Sequence, residues 1–180
     1  GSPMPDPRRA GASTVIIAGD NIFIVDAGPG STLNLELMKI PLNETAAVLL
    51  THMHSDHIAG LGELLLKACT RGARTEPLRV MGPEGVEIVV DGFNQAFRVN
   101  AGFRHSHHGD AVAPATGAGG RAEIIEGFGE DGSTVVVQNG DLTVTAFLVD
   151  HHPVEPALAF RLDYRGRSAV ISGDTVPTDT

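Results

Sequence analysis

Thr51 to His57 reads Thr-His-Met-His-Ser-Asp-His, so four strong metal-ligating side chains, His52, His54, Asp56 and His57, fall within six residues. Imidazole nitrogen and carboxylate oxygen suit zinc, manganese or iron. The apolar run Ala46 to Leu50 precedes them and a helical pattern follows from near Ile58. A buried strand is therefore expected to end, turn sharply and present three imidazoles and a carboxylate at one spot. Along an extended segment side chains alternate with period two, so His52 and His54 point to the same side and can grip one ion. Asp56 and His57 lie past the strand, where the chain bends, and can face a second ion. The bland alternative, a polar loop rich in His by chance, is at odds with this strand-to-helix setting.

Two further positions extend the set. His151 follows the strand that ends at Val149-Asp150, and Asp174 follows the strand that ends at Ile171-Ser172-Gly173. His152 is adjacent to His151 and chemically equal, and spacing alone leaves either open. Asp26 also stands at a strand end, before a glycine-rich turn, where bonding the backbone amides of the motif loop is a better role than ligation. Two ions about 3.5–4 Å apart would hold a water, lower its pKa and let it attack carbon, phosphorus or sulfur without a Ser or Cys nucleophile. Ligating histidines must be neutral, so activity is expected to fall below about pH 6.

The elements that must position these groups are legible in outline. Ser13–Ala18 and Asn21–Val25 flank Gly19-Asp20 as a hairpin. Leu33–Met38 reads as a short helix, Ala46–Leu50 as the strand feeding the motif, and Leu78–Met81 as another strand. Leu61, Leu64, Leu65 and Ala68 recur at helical spacing. Pro83 suits the first turn of a helix carrying Val86, Val89, Val90, Phe93 and Phe97. From about Arg104 to Arg121, Gly, Ala, Ser, Pro and His dominate. That segment is expected to be a flexible loop or insertion, with His105, His107 and His108 solvated. Strands resume at Val135–Gln138, Leu142–Val149, Ala157–Tyr164 and Ser168–Ser172.

Composition sets bounds on all of this. A chain of 180 residues with 42% hydrophobic content can bury one substantial core. With 22 acidic and 13 basic residues its formal net charge is -9, which repels polyanions unless basic residues gather locally. The single cysteine, Cys69, excludes an intrachain disulfide framework and sits in an apolar helical pattern as a small hydrophobe. No apolar run approaches the ~20 residues of a membrane span, so no membrane partner is expected and a cytoplasmic location is the default.

These residues resemble the metallo-β-lactamase superfamily, whose signature is His-x-His-x-Asp-His after a buried strand. The match is His52-Met53-His54-Ser55-Asp56-His57, with Asp26-Ala27-Gly28 upstream and Ser172-Gly173-Asp174-Thr175 downstream. Three passages resemble its ribonuclease Z and arylsulfatase-like branch: Gly1 to Ser13, His151-His152-Pro153-Val154-Glu155-Pro156-Ala157, and Arg165-Gly-Arg-Ser168 leading into Ser172-Gly-Asp-Thr175. The resemblance covers nearly the whole chain as one domain, 1–180, apart from the His-rich segment. It implies an α/β fold, an αββα sandwich of layered sheets and helices. It places two divalent ions, zinc before manganese or iron: one on His52, His54 and His151, the other on Asp56 and His57, with Asp174 bridging. It also makes Asp56 the catalytic side chain.

The family supplies one more histidine beyond the Ser-Gly-Asp segment and a strand before the Gly-Ser-Pro turn. The chain is therefore expected to be a piece of a longer enzyme, or a shortened protein completed by a partner, with an exposed apolar edge that favours homo-oligomers. The expected function is metal-dependent hydrolysis of a phosphodiester or sulfate ester, with a small-molecule substrate preferred. Processing of tRNA 3′ ends comes next, held back by the presence of only two lysines, Lys39 and Lys67, and no basic cluster. Lactone or acyl-ester hydrolysis follows, and a non-catalytic, metal-stabilised domain is the reading from a different class.

Overall fold

The computed structural model describes residues 4, 6–70 and 73–177. Gly1 to Pro3, which open the first passage of the resemblance, lie outside the described residues, as do Pro5 and the last three residues.

The hairpin, the motif strand and the later strands form where apolar residues alternate. β1 (Thr14–Ala18) and β2 (Asn21–Val25) pair antiparallel, and β2 then runs parallel to β3 (Thr45–Leu49). Next come β4 (Leu78–Gly82) and β5 (Gly120–Ile124), both parallel, which gives a five-stranded sheet ordered β1-β2-β3-β4-β5. β6 (Ser133–Asn139), β7 (Leu142–Val149), β8 (Ala157–Tyr164) and β9 (Arg167–Ile171) form a second, fully antiparallel sheet in chain order.

The period-two rule divides the core. In β2 and β3, Ile24 and Val48 face the helices, while Phe23, Val25, Ala47 and Leu49 face the second sheet and meet Leu142, Val144, Ala146, Leu158, Phe160 and Leu162. α3 (Leu61–Thr70) presents Leu61, Leu64, Leu65 and Ala68 to the first cluster, as its spacing requires. α1 (Ser31–Leu37) contributes Leu35. The expected layers are therefore present as helices, sheet and sheet. Val135 and Val170, on the far side of the second sheet, are 57% and 65% exposed, and no described helix covers them.

Two expectations about the His-rich segment are corrected. α4 runs from Val86 to His108, so residues 104–108 are its last turns rather than loop. Once nucleated by Val86 and Val90 on the core, a helix propagates through residues without apolar spacing at little cost, and it stops at Gly109, whose N–H bonds His105 O. Residues 120–124 are β5, which carries no apolar alternation. It is a strand because β4 supplies a ladder and Arg79 on β4 makes a bidentate ion pair with Glu123 at 2.9 and 2.7 Å.

Candidate metal centre

β2 and β3 end side by side, and the turns that follow them are bonded backbone to backbone. Ala27 N–H donates to His57 O at 2.7 Å, and Gly60 N–H donates to Ala27 O at 2.8 Å. A Cβ on Gly28 would overlap the carbonyl oxygen of Asp56, and one on Gly60 would overlap that of Gly28. Only glycine allows the two turns to approach this closely. After His54 the chain turns into the short helix α2 (Ser55–Ile58), which carries Asp56 and His57 back toward His52.

The side chains converge as two triplets that share His52. Nitrogens of His52, His54 and His151 lie within 4.8 Å of one another, and so do ligand atoms of His52, His57 and Asp174. His52 Nε2 and His54 Nδ1 are 3.1 Å apart, close to the ~3.3 Å that separates two nitrogens on one tetrahedral zinc ion. His57 Nε2 stands 3.5 Å from Asp174 Oδ1 and 3.8 Å from Asp56 Oδ2. Asp56 is buried beside the second triplet but is not one of its members. His151 points into the cluster, its ring 4.8 Å from that of His52, while the side chain of His152 is 79% exposed and lies 3.7 Å from Glu155. Of the adjacent pair, the structure brings His151 and not His152 to the other histidines.

Asp26, expected to bond backbone amides, bonds one: Thr51 N–H, at 2.8 Å from its Oδ1. Its other oxygen does what the sequence did not reveal, accepting the Nδ1–H of His57 at 2.8 Å with both side chains buried. The signal available beforehand was an aspartate at a strand end next to the motif strand; its partner depended on the turn of α2. His105, His107 and His108 join no ligand triplet among the described residues, and His105 Nδ1 bonds Ala113 O at 3.1 Å.

The electrostatics favour neutral, lone-pair imidazole at His52 and the protonated form at His57. Burial, reinforced by the neighbouring His57 and His54, pushes His52 down to about 4. Burial alone would lower His57, but the Asp26 hydrogen bond and the charges of Asp26, Asp174 and Asp56 outweigh it and raise this residue. The Nε2 atoms of His57 and His151 are buried and have no hydrogen-bond partner among the described residues. A buried nitrogen without a partner costs free energy, and two of them aimed at a group of imidazoles and carboxylates fit a divalent cation.

A cleft of about 1490 Å³ opens onto Asp56, His57 and Asp174 and is also lined by Asp6, Arg8, Arg9, Leu33 and Asn34. The pattern of the metallo-β-lactamase superfamily matches residues 6–180. The chain belongs to that superfamily. It is 41% identical over 181 residues to a ribonuclease Z of Mycobacterium sp. (strain KMS), an alignment covering 100% of this chain and 60% of that protein. It is 40% identical to the ribonuclease Z of Mycobacterium marinum, covering 98% of this chain and 61% of the relative. The chain thus spans about 60% of the length of these relatives. Among solved structures, the short form of human tRNase Z (ELAC1) superposes with a TM-score of 0.70 at 22% identity, covering 97% of this chain and 66% of that one. The metallo-β-lactamase fold protein YhfI of Bacillus subtilis gives 0.64 at 18% identity, covering 98% and 60%. Superfamily and fold are settled by these matches.

Proposed function

We propose that this chain carries the metal-binding half of a phosphodiesterase of the ribonuclease Z kind, cutting a phosphodiester bond of a tRNA. The observation that carries this reading is the double triplet, an assembly for one or two divalent ions beside a wide cleft, in a chain about two-fifths identical to ribonuclease Z proteins over its full length. The expected small-molecule substrate, drawn from net charge and the lack of a basic cluster, gives way to a tRNA because the relatives matched in sequence are ribonuclease Z proteins. Arg8 and Arg9 line the same cleft as Asp6, Asp26, Asp56 and Asp174, and Arg8 is ion-paired there with Asp6 at 3.1 Å, so Arg9 and bound cations would supply the positive charge that a polyanion needs. Among the described residues no helix is long and apolar enough to cross a membrane.

In this reading His52, His54 and His151 hold one ion, and His57, Asp174 and Asp56 hold or flank a second. Bound divalent ions there would activate water as the nucleophile and take up charge on the phosphate oxygens. Asp26 fixes His57 by accepting its Nδ1–H, which leaves Nε2 free to ligate. Asp56, buried against His57 Nε2, is the carboxylate placed to accept a proton as water attacks.

The test is incubation of the protein with zinc or manganese and a 3′-extended tRNA transcript, alongside a chromogenic phosphodiester. Expected is a single endonucleolytic cut that chelation abolishes and that His57→Ala loses. Turnover of the chromogenic ester alone would restore the small-molecule reading. Turnover of neither would leave a metal-stabilised binding domain.

A further inference from the structure

The buried hydroxyl of Thr51 has no part in the chemistry above. Thr51 is 1% exposed and immediately precedes the first histidine of the motif. Its Oγ1 lies 2.9 Å from Asp26 Oδ2, 3.1 Å from Asp26 Oδ1 and 3.0 Å from His52 Nδ1. A hydroxyl has one proton to give, and an ionised carboxylate has none. Were the proton given to His52, hydroxyl and carboxylate lone pairs would face each other at 2.9 Å in a site closed to water. The proton therefore goes to Asp26. What fills the remaining contact is an N–H on Nδ1 of His52, and that leaves Nε2 as the lone-pair nitrogen. Nε2 is the atom that faces His54 at 3.1 Å.

We propose that Thr51 is the positioning residue for His52: its hydroxyl relays the Asp26 carboxylate to Nδ1 and holds the imidazole as the Nδ1–H tautomer, with Nε2 presented to an ion. One carboxylate then orients two histidines, His57 directly and His52 through Thr51. Second contacts of this kind on ligating histidines carry about 10–100-fold in metal affinity.

Thr51 is itself clamped, which is what makes the relay rigid. Its N–H donates to Asp26 at 2.8 Å, and its carbonyl accepts Leu158 N–H of β8 at 2.8 Å. A Cβ on Gly173 would come within 2.8 Å of Thr51 Cβ and 3.0 Å of its Cγ2. The β-branched side chain is thus wedged between the end of β2 and the turn that delivers Asp174, in a single rotamer. The same residue ties the ligand from the motif to the turn carrying the ligand from the second sheet.

This role rests on the reading of His52 as a ligand, so the experiment starts with the chelated protein, where tautomer and metal binding can fail separately. Nitrogen-15 NMR of the imidazoles at neutral pH should show His52 protonated at Nδ1 in the wild-type chain and in Thr51→Ser. In Thr51→Val, which keeps the shape and removes the hydroxyl, the proton should move to Nε2. Zinc titration should then give wild-type affinity for Thr51→Ser and a loss of about 10–100-fold for Thr51→Val. A wild-type His52 protonated at Nε2 overturns the proposal, and so does a Thr51→Val protein with an unmoved tautomer. If Thr51→Val does not fold, the wild-type and Thr51→Ser spectra still decide. A moved tautomer with unchanged zinc affinity upholds Thr51 as the orienting group and overturns His52 as the ligand.

Discussion

Asp26 and His57 lie 31 residues apart in sequence, yet the carboxylate of one receives the Nδ1–H of the other at 2.8 Å with both side chains buried. Asp26 adopts a left-handed backbone, φ 61°, to make this contact. A non-glycine residue held there is costly and marks a position fixed by its surroundings. The consequence is a defined tautomer: His57 spends its proton on Asp26 and keeps Nε2 for the cluster. Asp26→Asn would place an amide N–H₂ or a neutral oxygen against that nitrogen and release the tautomer. We expect a folded protein whose zinc affinity falls about 10–100-fold. Titration of the dialysed protein checks this, and full affinity in Asp26→Asn would remove Asp26 from the site. Asp26→Ala, which strands three buried donors, should cost about 3 kcal/mol or more by denaturant unfolding.

How far the sequence carried this picture depended on whether a feature was local. The strand, turn and helix around Thr51–His57 were readable because apolar runs on either side of the histidines bound them, and the period-two split of Ile24 from Phe23 and Val25 follows from alternation alone. β5 was not readable. Gly120–Ile124 has no pattern of its own and is a strand only because β4 pairs with it. The last turns of α4 were hidden for a similar reason, since helix propagation from Val86 and Val90 overrides glycine and histidine content. Within the site, His151 over His152 could be named from the resemblance, whereas the Asp26–His57 and Thr51–His52 contacts depend on how two strand ends meet.

Two glycines should respond to the same substitution in opposite directions. A methyl group on Gly28 collides with the Asp56 carbonyl and lies 2.7 Å from Ala12 N, with backbone on both sides and no flexible atom to give way. Gly28→Ala should destabilise by about 3 kcal/mol and lower zinc affinity by shifting the Asp56–His57 turn. Gly102 lies in exposed helix α4 with nothing within 4 Å of the added methyl, so Gly102→Ala should stabilise by about 0.5–1 kcal/mol. Paired thermal melts read both. A stable Gly28→Ala protein with normal metal binding would contradict the close approach of the two turns.

The Arg79–Glu123 pair that secures β5 should give the stability a pH-dependent part. The Arg79 hydrogen bond, outweighing partial burial, holds the Glu123 carboxyl below the usual glutamate range. A lowered folded value means stability present above the unfolded value of about 4.3 and lost as pH falls through the folded one. Both side chains are about a third exposed, 36% and 27%, so solvent screening limits the pair to roughly 0.5–1 kcal/mol. Glu123→Gln should therefore be less stable than wild type by that amount at neutral pH, and the gap should close in the acid range below about pH 4. A gap that persists unchanged in acid would assign the effect to packing rather than charge.

Metal content separates the two histidines that sequence alone left equal. His151 Nε2 is buried without a hydrogen-bond partner among the described residues and its ring is 5.3 Å from that of His54, whereas His152 faces solvent beside Glu155. Removing a ligand from a three-nitrogen set leaves two nitrogens and an open coordination sphere, too few to keep a zinc ion through dialysis. His151→Ala should therefore lose most of the ion held with His52 and His54, and His152→Ala should keep it. The triple change of His105, His107 and His108 to Ala, at the far end of α4, should also leave zinc content unchanged. Elemental analysis after dialysis measures all three. Retained zinc in His151→Ala with loss in His152→Ala would require the turn after β7 to be rotated, breaking the bond from Val176 N–H to Asp150 O at 3.0 Å.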